Sequence, residues 1–172
     1  MKIQVKKLYD DVVLPQYQTE GAAGMDLIVH GYSELHSTRV NSNDVNNPLV
    51  ITQFEGITKV IMNPHERLRV TCGFAISIPK GYELQIRARS GNSIKKGLCL
   101  ANGIGTVDSD YRGEIGAILL NSSEFPVEVC VGDRVAQAVL AKHETVEFDE
   151  VSDLDETVRG TGGLGSTGYK SN

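Results

Sequence analysis

Apolar and polar residues alternate with a period of two along most of this chain, the mark of half-buried β-strands. Lys2–Val5 (KIQV) predicts a first strand. Pro15 and the Gln/Thr-rich run to Thr19 predict a loop, and EGAAGMDLIV over residues 20–29 predicts a close backbone approach followed by a strand, Met25–Val29. From Arg67 the alternation becomes regular. LRVTCGFAISIP reads as one alternating run that stops at the turn Pro79-Lys80-Gly81. YELQIRAR then puts Leu84, Ile86 and Ala88 on one face and Glu83, Gln85, Arg87 and Arg89 on the other. Ser90-Gly91-Asn92-Ser93 ends that strand, and Ile94–Gly97 is the best candidate for a short helical turn. Leu100–Gly116 (LANGIGTVDSDYRGEIG) predicts a β-hairpin with a polar tip between apolar flanks. Further strands are expected at Ile115–Leu120, Val127–Val131, Arg134–Leu140 and Val146–Phe148, with turns at Asn121–Glu124 and Gly132-Asp133. Many short strands, Gly/Pro turns and almost no helix predict an all-β barrel or sandwich.

Two stretches break the pattern. Residues 31–63 are rich in Asn and Ser before turning apolar at Leu49–Ile51 and Ile57–Met62, which predicts a surface excursion with one or two short strands. The tail Val158–Tyr169 (VRGTGGLGSTGY) is so glycine-rich that it loses much entropy on ordering and is expected to be mobile until something binds.

Composition narrows the class. A length of 172 residues suits one domain with a real core. No apolar run is long enough to span a bilayer, and Lys2, Lys6 and Lys7 have no apolar stretch behind them, so neither a membrane span nor a secretory signal is expected. Cys72, Cys99 and Cys130 lie far apart in apolar contexts and read as buried free thiols in a reducing cytoplasm. The histidines, His30 and His36 included, do not cluster as metal ligands would. A net charge of −5 argues against a large nucleic-acid surface, yet leaves room for a small anion held by local donors.

Polar segments interrupt the β pattern at Asp26, Arg89-Ser90-Gly91, Asn102–Arg112, Gln137 and the tail. Asp26 reads two ways: as a turn-capping aspartate, the commoner role, or as a carboxylate facing a site. Ser90-Gly91 and Gly165-Ser166-Thr167-Gly168 are ordinary loop residues, and equally offer hydroxyl and N–H donors suited to phosphate oxygens, with Arg159 adding a planar cation. There is no P-loop, because no Gly-rich turn is followed by Gly-Lys-Ser/Thr.

In this order, AAGMDL, ARSGNSIKKGL, NGIGTVDSDYRGEI, GDRVAQ and RGTGGLGSTG resemble the five motifs of the trimeric dUTP pyrophosphatases (dUTPases), over nearly the whole chain except residues 31–63. The resemblance implies a dUTPase-like, jelly-roll-type β-barrel over residues 1–157, with the insertion at about 31–63. It implies a flexible arm at 158–172 that closes a neighbouring active site in a homotrimer. It implies a cytoplasmic hydrolase that converts dUTP to dUMP and pyrophosphate, supplying dUMP for thymidylate synthesis. Asp108 then looks like the carboxylate that activates water for attack on the α-phosphorus, and Tyr111 like the ring beneath the deoxyribose. Asn102, with Gly103 and Val107, looks like the uracil reader. Arg89, Ser90, Gly91 and Gln137 resemble the phosphate and water contacts, and Arg159, Leu164, Gly165, Ser166 and Thr167 the closing arm. Mg²⁺ is implied as cofactor, bound mainly through substrate phosphates, with Asp26 behind it through water. The family arm usually carries Phe where this chain has Leu164, which covers a base without ring stacking, a difference of about 0.5–1.5 kcal/mol. Two other readings stay open: the related dCTP deaminases, which share the fold, and a second role in which the 31–63 insertion binds a regulatory protein.

Overall fold

The computed structural model describes residues 1–33, 51–54 and 57–163. The expected excursion therefore lies largely outside the described residues, as do His36 and the arm residues Leu164, Gly165, Ser166 and Thr167. In chain order the elements are β1 (Gln4–Lys7), β2 (Met25–Ile28), β3 (Gly31–Tyr32), β4 (Ile51–Phe54), β5 (Ile57–Met62), β6 (Arg67–Thr71) and β7 (Phe74–Ser77). They continue with β8 (Tyr82–Ala88), α1 (Ser90–Lys96), β9 (Leu98–Leu100), β10 (Gly105–Val107), β11 (Gly116–Asn121), β12 (Val127–Cys130) and β13 (Arg134–Lys142). The fold is all-β with one short helix among the described residues.

The strands form antiparallel sheets ordered β1-β7, β10-β8-β13-β2, β3-β6-β11-β9 and β12-β5-β4. Their inward positions supply one continuous core, including Leu27, Val70, Phe74, Leu84, Leu119 and Val129. β8 shows how the sequence builds it. Leu84 and Ile86 are buried, while Glu83, Gln85 and Arg87 run along the opposite face linked by hydrogen bonds. Tyr32 ties two sheets together. Its one hydroxyl hydrogen is shared between the Thr58 and Val129 carbonyls, at 3.1 and 2.9 Å, and burial pushes its pKa well above the usual phenol range.

Several expectations need correction. The run from Arg67 to Pro79 is two strands in different sheets, not one. The chain turns the corner at Gly73, whose φ of +75° a side chain rarely adopts, and an added Cβ there would meet Val12 and His30. Cys72 to Ala75 are all buried across that corner, so the alternation is lost where the strand changes sheet. Cys72 is buried as expected, its thiol pushed up to about 12 by loss of solvation, whereas Cys99 and Cys130 are half-buried; all are free. His30, read in the sequence only as lying outside any metal cluster, is tied into the fold. Its ring stacks on Tyr9 at 4.6 Å and meets Asp11 at 3.1 Å, which holds that carboxyl below its usual range.

The hairpin is not a simple one. β9 pairs with β11 as expected, Leu100 opposite Leu119, but the connection between them swings out and contributes β10 to β8 in the neighbouring sheet. The helix begins at Ser90, four residues before the expected Ile94, because Arg89 is extended and its carbonyl accepts the Asn92 and Ser93 N–H groups. Asn121, expected in a turn, is wholly buried at the end of β11. Val146–Phe148 forms no strand. Among the described residues no strand pairs with it, and Val146 and Phe148 are 70% and 93% exposed.

Candidate active site

Two clefts gather nearly all of the described site residues. The first, of about 270 Å³, opens beside the β9–β10 connection and is lined by Asn102, Val107, Asp108 and Tyr111, with Ile86, Gly105, Arg69 and Glu114. Gly103 forms the turn beside it, at φ +70°, its N–H donating to the Leu100 carbonyl at 3.2 Å. Gly105 follows in β10, where a Cβ would stand 3.1 Å from Ile86 Cβ and 3.3 Å from Asn102 Nδ2. The absence of that methyl lets the β10 backbone form the cleft wall next to the Asn102 amide.

Asp108 leaves the end of β10 and starts a tight turn in which the Tyr111 N–H donates to the Asp108 carbonyl at 3.2 Å. Arg112 holds the turn from outside, its Nη1 donating to the carbonyls of Ser109 and Tyr111 at 2.7 and 2.9 Å. The Tyr111 ring folds back over Gly113, and its hydroxyl donates to the Glu114 carbonyl at 3.3 Å. A Cβ on Gly113 would overlap that ring, so glycine there is what allows Tyr111 its position. The Asp108 carboxylate and the Tyr111 ring thus stand on one rigid loop at one cleft.

The second cleft, of about 360 Å³, lies at the far side of the β10-β8-β13-β2 sheet and is lined by Asp26, Arg89, Ser90, Gly91 and Gln137, together with Gln18, Ala22, Gly24 and Arg134. Asp26 and Gln137 are direct register partners on β2 and β13. Gln137 Nε2 donates to the Ala88 carbonyl at 3.2 Å, and a Cβ on Gly24 would come within 2.8 Å of Gln137 Oε1. Asp26 is the shared acid of two ion pairs: Oδ1 meets Arg89 Nε at 2.9 Å and Oδ2 meets Arg134 Nη1 at 3.2 Å. Ser90 and Gly91 occupy the first helical positions, where a backbone N–H has no acceptor within its own helix. A cleft with two guanidiniums, one carboxylate, a hydroxyl, an amide and open N–H groups suits a polyanion.

The clefts share no residue. β10 and β2 are separated by β8 and β13, a span of about 14 Å at ordinary strand spacing. Arg159 reaches neither cleft; its Nε donates to the Gly162 carbonyl at 2.8 Å. Among the described residues, no group of three or more His, Cys, Asp or Glu side chains is placed to hold a metal. With both of its oxygens paired to guanidiniums, Asp26 is suited to act on a cation through water rather than as the main ligand.

Sequence reading missed Arg134 and Gln18 in the second cleft and Arg69 and Glu114 in the first. Arg134 had a signal, since it lies within the GDRVAQ segment. Glu114 had the same kind of signal, lying within the NGIGTVDSDYRGEI segment, whereas Arg69 had none, being a polar position on a strand like many others.

A family model described as dUTPase matches residues 55–168. The deoxyuridine 5'-triphosphate nucleotidohydrolase of Helicobacter pylori (strain J99) is 40% identical over 168 residues, covering 98% of this chain and 97% of that protein. The protein of the same name from Finegoldia magna is 45% identical over 156 residues, covering 91% and 92%. Among solved structures, a point mutant of Staphylococcus bacteriophage 80alpha dUTPase with dUpNHpp superposes with a TM-score of 0.77 at 22% identity, covering 98% of this chain and 99% of that one. A mutant dUTPase from phage phi11 of S. aureus, described with a structural Mg(II) ion, gives 0.69 at 20% identity, covering 91% and 100%. At these identities the likeness to the solved structures is one of fold.

Proposed function

The chain belongs to the dUTPase family, and from that membership we propose that it hydrolyses dUTP to dUMP and pyrophosphate, with the first cleft taking the nucleoside and the second the phosphates. The observation that carries this reading is the loop that sets Asp108 and Tyr111 on the same cleft as the Asn102 amide and the β10 backbone. Uracil presents an N3–H donor between two carbonyl acceptors. A strand edge with one amide side chain complements that pattern, whereas cytosine reverses it at two of the three positions and would leave buried groups unpaired. Tyr111 lies beneath the deoxyribose and leaves no room for a 2′-hydroxyl. Asp108 orients a water and takes its proton as the water oxygen attacks the α-phosphorus, and pyrophosphate leaves.

Arg89, Ser90, Gly91 and Gln137 hold the phosphate chain as negative charge shifts toward the leaving group. Were Mg²⁺ to arrive with the substrate, Asp26 would hold it through water, and the ion would supply further neutralisation of the phosphate oxygens. The two clefts of one chain share no residue, and family membership supports a site built between copies, in a homotrimer. Residues 1–157 form the domain and 158–172 the arm that reaches another subunit's site, bringing Arg159, Leu164, Gly165, Ser166 and Thr167 to the nucleotide. The exposed Val146 and Phe148 fit a segment that packs only once a second copy is present.

The test is pyrophosphate release from dUTP, dCTP, dTTP and UTP under identical conditions. Turnover of dUTP should exceed each of the others by about 100-fold or more. Comparable turnover of UTP would remove the role given to Tyr111, and release of ammonia from dCTP would move the chain to the deaminases.

Deleting residues 159–172 should lower turnover strongly and leave the assembly intact. Light scattering on the truncated protein checks this, and a monomeric product would make the arm structural instead.

A further inference from the structure

One acid in the second cleft is shared by two cations, and one of them is tied back to the other. Asp26, 12% exposed, pairs with Arg89 through Oδ1 and with Arg134 through Oδ2. The main-chain carbonyl of Arg134 in turn accepts Arg89 Nη1 and Asn92 Nδ2, each at 2.9 Å. Three distant segments therefore meet on Arg134: β2, the junction of β8 with α1, and the start of β13, where the register shifts between Arg134 and Ala136. The other residues lining this cleft, Gln18, Ala22, Gly24, Ser90, Gly91 and Gln137, carry no charge.

Charge decides what this arrangement does. Asp26 and Arg89 alone would neutralise each other and leave the cleft without net charge to attract an anion. Arg134 leaves it one net positive charge. It also gives Asp26 a second counter-ion, so that Arg89 can turn to a phosphate without stranding a half-buried carboxylate. We propose that Arg134 is a positioning residue for phosphate binding: its guanidinium holds Asp26 and its carbonyl aims Arg89, which frees Arg89 for the incoming phosphate chain. This deepens the reading of the second cleft as the phosphate cradle and rests on it.

The test uses the full chain, inorganic triphosphate as probe, a chelator to exclude metal, and titration calorimetry. Arg134→Gln should weaken binding roughly 10-fold or more, and Arg134→Lys should recover most of the loss. The double variant Asp26→Asn/Arg134→Gln should bind within about threefold of the unsubstituted protein, because the carboxylate that captures Arg89 is gone. A merely structural clip predicts the opposite, since the double variant breaks more of it. Binding by Arg134→Gln within twofold of the unsubstituted protein, or a double variant as weak as the single, would overturn the proposal. Should Arg134→Gln fail to fold, Asp26→Asn alone decides: tighter triphosphate binding supports the proposal and weaker or equal binding overturns it. Measuring dUTP turnover on the same preparations separates the claims. Turnover with an Arg134→Gln variant unaltered in KM overturns the role of Arg134 alone, whereas no turnover and no triphosphate binding by the unsubstituted chain overturns both.

Discussion

Asp108→Asn should lower kcat for dUTP by about 10²–10⁴-fold while the protein still binds the nucleotide. The change is nearly isosteric, so the turn closed by the Tyr111 N–H on the Asp108 carbonyl, a main-chain contact, should survive it. What disappears is an acceptor for the water's proton. In the proposed reading the groups that hold base, sugar and phosphates are others, and removing a negative charge beside a triphosphate favours binding if it changes it at all. The dissociation constant of an unhydrolysed analogue should therefore stay level or fall, and a single-turnover measurement should show slow chemistry in a saturated complex. If affinity collapsed while bound nucleotide still turned over at the normal rate, Asp108 would be a binding group and the water would need another base.

The largest effect on stability is expected at Asn121, far from the chemistry. Its side chain is wholly buried and fully used. Nδ2 donates to the Met62 and Phe125 carbonyls at 3.0 and 2.7 Å, and Oδ1 accepts the Ser123 N–H at 3.0 Å and the Ser123 hydroxyl at 2.8 Å. The amide thus joins the end of β11 to β5 and to the loop leading into β12. Asn121→Ala removes four hydrogen bonds at once, worth about 0.5–1.5 kcal/mol each, and leaves a cavity at a wholly buried position, so a loss of about 3–5 kcal/mol is expected after relaxation. For a chain of this size that lowers Tm by about 10 °C or more, measured by calorimetry at fixed protein concentration. Turnover per folded molecule well below the melting range should be unchanged. A loss under about 1 kcal/mol would mean that water takes over the amide's bonds and that Asn121 is not the hub its burial implies.

Much of the candidate site is legible in the chain because the residues of its first cleft lie close together in sequence. Asn102, Gly103, Asp108 and Tyr111 fall within ten residues, and the turn that presents them is written in those same residues: glycine where φ is positive, aspartate opening the turn, Gly113 beneath the tyrosine ring. The helix start is not legible in the same way. Ser90-Gly91 is a good turn sequence, and the decisive feature is the extended Arg89, whose guanidinium is held by Asp26 sixty-three residues away. Val146–Phe148 has the alternation of a strand and pairs with no strand among the described residues. Propensity supplies one half of a ladder only, and the other half comes from wherever the fold or a second copy provides it.

Read alone, the chain was enough for the all-β class, for the inward face of β8, and for most of the segments that line the two clefts, because side-chain periodicity and turn residues act over a few positions. Tertiary structure alone decided that the Arg67–Pro79 run splits at Gly73 between two sheets, that β10 leaves its hairpin for β8, and that Arg134 shares Asp26 with Arg89. Each of these is a contact between residues far apart in sequence. Period-two patterning says which side of a strand is apolar and carries no information about which strand lies beside it.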